Sequence, residues 1–137
     1  MKTGPRRVLV LDPNPEAQEK VRELLDREDV TLYFATGLAD AVHALKEVRF
    51  HCAIVDTDLG EIPGHQAVPI LKAIDAALPV IVTAERNTRE QEIKVCEQDI
   101  FFYYIKSFGP QELKLAVREA LRVSTGSEDR GTDRRTT

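Results

Sequence analysis

The stretch Cys52-Ala53-Ile54-Val55-Asp56-Thr57-Asp58-Leu59-Gly60-Glu61-Ile62-Pro63-Gly64 decides the fold of this chain. Its first four residues are small or apolar and show no polar alternation, which is typical of a strand covered on both faces, as in a parallel sheet. Asp56 then lies at the carboxyl end of that strand, the edge of an open α/β sheet where ligands bind. Taken alone, Asp56 is equally compatible with a turn residue. A functional role gains support because three other apolar runs also end in a polar side chain.

Five apolar segments alternate with five helical patterns along the chain. The predicted strands cover residues 8–11, 30–35, 52–55, 80–82 and 100–105, and the second is placed nearer an edge because its residues alternate. This order predicts an α/β fold, a five-stranded parallel sheet with right-handed crossovers and helices on both faces. Asn14 is expected to cap the first helix, with Pro15 at its first position. Pro69 is expected to limit a third helix that starts near His65.

The fourth helical pattern, residues 89–98, is only weakly apolar, and Ile93 and Cys96 are expected to be its main anchors. Such a thin apolar face indicates a helix that is held loosely and is able to move. Residues 1–123 are expected to form one domain. Residues 124–137 carry no apolar side chain, so they are predicted to be a disordered polar tail or the stub of a linker.

Composition narrows the function classes. The 137 residues are 42% hydrophobic and 31% charged, which is ordinary for a globular domain. A formal net charge of −4 without a basic stripe argues against a nucleic-acid partner, and no apolar stretch approaches membrane length. Cys52 and Cys96 lack metal or redox spacing, so we interpret both as reduced, buried thiols of a cytoplasmic protein.

Four polar residues follow the last apolar residue of predicted strands one, three, four and five, namely Asp12, Asp56, Thr83 and Lys106. Because the carboxyl ends of parallel strands meet at one edge, these side chains are expected to converge. Two carboxylates, a hydroxyl and an ammonium suit a hard cation together with a phosphoryl group. Each residue singly is more readily explained as structural, so the prediction depends on their joint placement.

These segments resemble the receiver domain of bacterial response regulators over roughly residues 7–123. The motifs that carry the resemblance are Val8-Leu9-Val10-Leu11-Asp12, Ile54-Val55-Asp56 with Gly64 eight positions on, Val80-Ile81-Val82-Thr83-Ala84 and Tyr103-Tyr104-Ile105-Lys106-Ser107-Phe108. The resemblance implies a flavodoxin-like (βα)5 fold in a protein of two-component signal transduction that is not an enzyme.

By this resemblance, Asp56 accepts a phosphoryl group from the phosphohistidine of a histidine kinase or phosphotransfer protein. Thr83 and Lys106 would contact the phosphoryl oxygens, while Asp12, Asp56 and the backbone carbonyl of Asp58 would hold Mg²⁺. Thr83 and Tyr103 would change conformation as the switch. A downstream protein partner would bind the surface of helix four, strand five and helix five, and a homodimer is a further expectation.

The chain departs from the family pattern in the loops. Pro13 stands where the family has a second acid, so Mg²⁺ binding is expected to be weak, with Asn14 as a possible neutral oxygen donor. Gly60 replaces a common proline and should loosen the loop after Asp56. Ser107 replaces the proline after the lysine, which predicts a trans Lys106–Ser107 bond and some displacement of Lys106.

The aromatic run of residues 101–104 is also unusual before that lysine. Phe102 and Tyr104 are expected to fill the core, whereas for Phe101 and Tyr103 an exposed aromatic patch and core packing both stay open.

Two alternatives to a phosphorylated receiver follow from these departures. Pro13 favours a pseudo-receiver, an interaction module that keeps the fold and signals without phosphate. The sequence Asp56-Thr57-Asp58 also resembles the acid pair of haloacid-dehalogenase-type phosphatases, although the chain lacks a cap domain and a downstream acid pair.

Overall fold

The computed structural model describes the backbone of residues 5–136 and the side chains of residues 5–124. Strands and helices alternate strictly along this part of the chain. In order, the elements are β1 (Arg6–Leu11), α1 (Pro15–Leu24), β2 (Val30–Ala35), α2 (Leu38–Glu47), β3 (Cys52–Asp56), α3 (Gly64–Ile74), β4 (Val80–Ala84), α4 (Arg89–Cys96), β5 (Phe102–Ile105) and α5 (Pro110–Thr136), with a short 3₁₀ turn at Lys106–Phe108 before the last helix.

The five strands form one sheet in the order β2-β1-β3-β4-β5, and every pairing is parallel. The predicted five-stranded parallel sheet is therefore confirmed, and β2 lies at an edge as its alternating pattern indicated. The central strands β3 and β4 are buried at every position. Strands covered on both faces explain why their sequences are continuous apolar runs.

Helices cover both faces of the sheet, as predicted. The core on one face combines alternate strand residues with α2, α3 and Val95 of α4. Its strand members are Leu9, Leu11, Ala35, Ala53, Val55, Val80 and Val82. The opposite core combines the other strand residues with α1 and α5, and its strand members are Val8, Val10, Cys52, Ile54, Ile81 and Tyr104. Complete burial raises the pKa of the Cys52 thiol to about 12, which keeps it protonated and unreactive.

The anchors predicted for α4 are wrong. Val95 is fully buried, whereas Ile93 is 51% exposed and the thiol of Cys96 is also exposed. Residues 93 and 95 are separated by about 200° around a helix, so they cannot face the core together. The sparse apolar pattern of this eight-residue helix did not indicate which side packs. The expectation of thin anchorage is supported, because Val95 is the buried residue of α4.

Two other local expectations have mixed outcomes. Asn14 caps α1 through its side-chain oxygen and Pro15 occupies the first turn, as predicted. The limit set by Pro69 is wrong, because α3 runs through it to Ile74. Buried α3 side chains, including Leu71, hold the helix against the sheet, so tertiary packing offsets the backbone hydrogen bond that Pro69 cannot make.

The C-terminal helix extends beyond the predicted domain boundary. Ser124 is buried, so the packed region reaches at least one residue past 123. The backbone continues as helix to Thr136, but the side chains of residues 125–137 lie outside the described part. A disordered tail over 124–137 therefore stays a prediction. Within residues 5–136, no helix is both long and apolar enough to cross a membrane.

Gly64 is required where the chain leaves β3 and enters α3. A Cβ atom at this position would lie 2.0 Å from the backbone oxygen of Asp56 and 2.8 Å from the Cα of Thr57. Gly64 also donates its backbone N–H to the carbonyl of Thr57 at 2.8 Å. The loop that follows Asp56 therefore folds back against its own strand end, and any larger residue must displace the backbone.

We expect Gly64→Ala to lower the free energy of unfolding by about 3 kcal/mol, because the new methyl group meets rigid backbone. Gly60→Ala is the matched control: its φ of 81° costs about 1 kcal/mol for a side chain, but no atom lies within 4 Å of the added carbon. Urea unfolding of both variants measures the difference. Equal losses in the two variants would contradict the close-approach argument.

Candidate functional site

Strand register brings the predicted site residues to one edge of the sheet. Asp56 pairs with Thr83 in the β3–β4 ladder, and Leu11 pairs with Val55, which puts Asp12 beside Asp56 just beyond the β1–β3 ladder. Lys106 directly follows β5. The convergence predicted from four strand ends is thus present in the structure.

The carboxylate of Asp56 is the centre of this cluster. Its Oδ1 accepts a hydrogen bond from Thr83 Oγ1 at 2.7 Å and lies 3.4 Å from Lys106 Nζ. Its Oδ2 accepts the backbone N–H of Asp58 at 3.0 Å. Asp56 is only 8% exposed, so these three donors replace much of its hydration.

Lys106 reaches Asp56 without the proline that the family places after it. The described peptide bonds include no cis bond, so the predicted trans Lys106–Ser107 bond is confirmed. The chain instead enters the 3₁₀ turn Lys106–Phe108, which is followed by Gly109 with φ of 99°. Lys106 lies within ion-pair distance of Asp56 with this backbone.

Lys106 also contacts Glu85, whose Oε1 lies 3.5 Å from Nζ. Burial disfavours the ammonium, but the carboxylates of Asp56, Asp12 and Glu85 outweigh that cost, so the pKa of Lys106 is raised. The lysine is therefore a stable positive charge at the edge of the sheet. Glu85 follows Thr83 by two positions, and nothing in the sequence pattern indicated its contact with Lys106.

Asp12 is a buried carboxylate at 7% exposure. Its Oδ1 accepts a hydrogen bond from the backbone N–H of Asn14 at 3.0 Å. The backbone carbonyl of Asp12 accepts one from Gln18 Nε2 at 2.6 Å. Burial raises the pKa of Asp12 and the neighbouring Asp56 adds to that effect, while the Asn14 amide and Lys106 act in the opposite direction. Ionisation of Asp12 therefore lowers the free energy of unfolding.

Few oxygen atoms at this edge of the sheet are free to coordinate Mg²⁺. Asn14 was expected to offer a neutral oxygen, but its Oδ1 accepts the N–H groups of Glu16 and Ala17 at the start of α1. Among the described residues, no three His, Cys, Asp or Glu side chains form a group able to hold a metal ion. Two carboxylates, Asp12 and Asp56, are left, which is enough for a cation that keeps several waters.

The loop between Asp56 and α3 is held by hydrogen bonds of its own, and the loosening expected from Gly60 stays a prediction. Asp58 Oδ1 accepts the N–H of Gly60 at 3.2 Å, and an isolated antiparallel bridge joins Asp58 to Pro63. Gly60 itself has a left-handed backbone with φ of 81°. At the tip, Glu61 Oε2 accepts the N–H of Leu38 at 2.5 Å, a contact with α2 that the sequence did not indicate.

Tyr103 is connected to the start of α4 by hydrogen bonds. Its hydroxyl donates to Asn87 Oδ1 and accepts from Gln91 Nε2, both at 2.8 Å. Asn87 Nδ2 donates to Glu92 Oε1 at 3.0 Å, and Gln91 Nε2 also donates to the carbonyl of Arg86 at 2.9 Å. The hydroxyl of Tyr103 therefore supplies polar anchorage to a helix with little apolar contact.

The aromatic residues before Lys106 pack mostly inward. Tyr104 is buried, and its hydroxyl donates to the carbonyl of Gly109 at 2.9 Å. Phe101 and Phe102 are partly buried against the α1–α5 core, and Tyr103 against the opposite one. Core packing, one of the two possibilities for Phe101 and Tyr103, thus accounts for much of their surface.

The arrangement suits one kind of chemistry. A carboxylate at the edge of a sheet, next to an ammonium and a hydroxyl donor, can attack an electrophile whose developing negative charge those donors then stabilise. A phosphoryl group has three oxygens to receive such contacts, which matches Thr83, Lys106 and the amide of Asp58.

Comparison with known proteins places this geometry in a family. The family model of the response regulator receiver domain matches residues 8–118. Transcriptional regulatory protein SrrA of Staphylococcus aureus is 24% identical over 115 residues, which cover 84% of this chain and 47% of that protein. The chain thus spans about half the length of the curated relatives it matches.

Solved structures share the fold. The signal receiver domain of an HD domain-containing protein from Pseudomonas fluorescens Pf-5 aligns with a TM-score of 0.87 at 21% identity, covering 95% of this chain and 96% of that one. The beryllofluoride-activated NtrC4 receiver domain dimer aligns at 0.78 and 20% identity, covering 86% and 98%. Since the family match includes most of the chain and the strand order agrees with it, the chain belongs to the response regulator receiver domain family, a signalling module of two-component systems rather than an enzyme.

Proposed function

We propose that this receiver domain accepts a phosphoryl group on Asp56 from the phosphohistidine of a histidine kinase or phosphotransfer protein. The observation that supports this most directly is the contact of one Asp56 oxygen with both Thr83 Oγ1 and Lys106 Nζ. In the transfer, the bond from phosphorus to the imidazole nitrogen breaks as the bond from phosphorus to the carboxylate oxygen forms. The imidazole leaves with the electron pair of the broken bond.

The residues around Asp56 then have distinct parts. Lys106 neutralises charge on the phosphoryl oxygens, and Thr83 turns its hydroxyl from the carboxylate to one of those oxygens. Asp12 and Asp56, with the backbone carbonyl of Asp58, would hold Mg²⁺, which supplies further positive charge to the phosphoryl group when it is bound. Pro13 contributes no ligand, so we expect this cation to bind weakly.

Phosphorylation would be transmitted through Thr83 and Tyr103 to the surface formed by α4, β5 and α5. When Thr83 turns toward the phosphoryl group, the space around β4 and β5 changes, and the hydrogen bonds of Tyr103 to Asn87 and Gln91 are the contacts able to respond. We propose that a downstream protein partner or a second copy of the chain binds that surface in the cytoplasm.

A second candidate function is supported by Pro13. A pseudo-receiver that binds a partner without phosphate would keep the same fold and need no metal. The retention of Asp56, Thr83 and Lys106 in mutual contact favours the phosphorylated receiver, because an interaction module has no need of a buried carboxylate beside an ammonium.

Incubation with Mg²⁺ and a small acyl phosphate should add the mass of one phosphoryl group to the chain and none to Asp56→Asn, as measured by intact mass.

Pro13→Asp should raise the Mg²⁺ affinity on the order of tenfold, by calorimetric titration, because it restores a carboxylate ligand. It should also speed formation of the adduct. Absence of an adduct in both the unmodified chain and Pro13→Asp, with no spectral response to beryllium fluoride, would instead support the pseudo-receiver.

Asp12→Asn should raise the melting temperature at neutral pH by a few degrees. The pKa of Asp12 in the folded state is raised above its ordinary value of 3.8. Ionisation of Asp12 therefore lowers the stability as pH rises from 3.8 through the folded pKa, and the full loss remains at neutral pH. The amide keeps an oxygen for the Asn14 N–H and removes this pH dependence. Thermal unfolding from acidic to neutral pH measures it, with the exposed Asp26→Asn as control. A lower melting temperature for Asp12→Asn at neutral pH would refute the burial argument.

Tyr103→Phe should accelerate backbone amide exchange in α4 about fivefold, because the variant keeps the ring and loses two hydrogen bonds worth about 1 kcal/mol together. Tyr33→Phe on the edge strand β2 is the matched control and should leave α4 unchanged. If α4 exchanges at the same rate in Tyr103→Phe, the hydroxyl does not anchor the helix.

A further inference from the structure

Helix α2 begins without a cap of its own. The residue before it, Gly37, has an extended backbone with φ of −146° and no side chain to accept a hydrogen bond. The first free N–H groups of a helix need acceptors, and a carboxylate there is favoured further by the helix dipole. That acceptor is Glu61, which lies 23 positions further along the chain and takes the N–H of Leu38 at 2.5 Å.

Glu61 belongs to the loop that carries the Asp56 region into α3. Leu59 and Ile62 on either side of it pack into the core shared with α2, which holds the loop through non-directional apolar contact. Glu61 adds a directional contact at the polar tip, immediately after the left-handed turn at Gly60. The loop is thereby tied to α2 as well as to its own strand.

The other end of the same loop touches the phosphoryl acceptor. The backbone N–H of Asp58 donates to Asp56 Oδ2 at 3.0 Å, and the side chain of Asp58 accepts from Gly60 at 3.2 Å. Hydrogen bonds therefore lead from Asp56 through Asp58 to Gly60, the residue that precedes Glu61. A movement of the tip by an ångström is enough to lengthen the bond between the Asp58 amide and the acceptor.

We propose that Glu61 is a positioning residue for phosphoryl transfer, because it ties the loop to α2 and so holds the Asp58 amide against Asp56. This inference rests on the proposed function, since it concerns the same acceptor. A plain structural role, in which Glu61 serves only as the cap of α2, is the competing explanation.

The two explanations can be distinguished by experiment, because a substitution at Gly37 can supply α2 with a capping side chain that does not belong to the loop. Gly37 has backbone angles typical of a capping residue, and the three atoms nearest to a Cβ there belong to the Glu61 carboxylate, the first at 3.4 Å. In Glu61→Ala that carboxylate is gone. Gly37→Asp in the Glu61→Ala background therefore caps α2 locally and leaves the loop untied.

The experiment compares the unmodified 137-residue chain with Glu61→Ala, with the double variant Glu61→Ala/Gly37→Asp and with Glu47→Ala as an exposed acidic control. The measurements are the initial rate of phosphorylation by a small acyl phosphate and the backbone amide exchange of Asp58 and Leu38. Glu61→Ala should slow phosphorylation about fivefold and speed exchange at both amides by a similar factor, because a directional anchor of capping strength is lost.

In the double variant, Leu38 exchange and the melting temperature should recover, while Asp58 exchange stays fast and phosphorylation stays slow. Glu47→Ala should match the unmodified chain. Recovery of the phosphorylation rate together with α2, or an unchanged rate in Glu61→Ala, would overturn the proposal and leave Glu61 as a cap. If the unmodified chain takes no phosphoryl group, the proposed function fails, and the exchange of Asp58 in the double variant alone decides whether Glu61 holds the loop.

Discussion

The parallel register of β3 with its neighbours is the constraint on which the site depends. Asp56 pairs with Thr83, and Leu11 pairs with Val55 one step before Asp12, so three polar residues must reach the same edge together. The central strands β3 and β4 are buried at every position, which leaves their carboxyl ends as the place where a polar side chain can be accommodated. The close approach of Gly64 to the carbonyl of Asp56 is a consequence, because the chain must turn sharply there to reach α3.

Few charged groups lie at the carboxyl edge of the sheet. Asp12 and Asp56 are both nearly buried, and Lys106 is the ammonium that faces them. A further acid at position 13 would strengthen a cation site and would also add like-charge repulsion when no cation is bound. With Pro13 in its place, Lys106 is the positive charge that balances the two carboxylates.

The loops that leave the site make polar contacts in addition to their apolar packing. Glu61 connects the loop after β3 to α2, and Tyr103 of β5 binds both Asn87 in the loop after β4 and Gln91 in α4. Hydrogen bonds of this kind are directional and exposed, so they can be exchanged at small cost, unlike the apolar contacts of the two cores. The molecule thus combines a buried sheet with loops that carry exposed polar contacts.

Sequence alone determined the elements that follow from apolar periodicity. The number of strands, their parallel arrangement and the convergence of four polar residues were predictable. A buried parallel strand reads as an apolar run, and the polar residues Asp12, Asp56, Thr83 and Lys106 each follow such a run at the same edge. The packed side of α4 was not predictable, since so short and sparse a pattern lets Ile93 and Val95 compete for the core. Nor were the contacts of Glu61, Glu85 and Asn87, because a polar loop residue acquires a partner only when tertiary folding brings a distant helix start, an ammonium or a hydroxyl within reach.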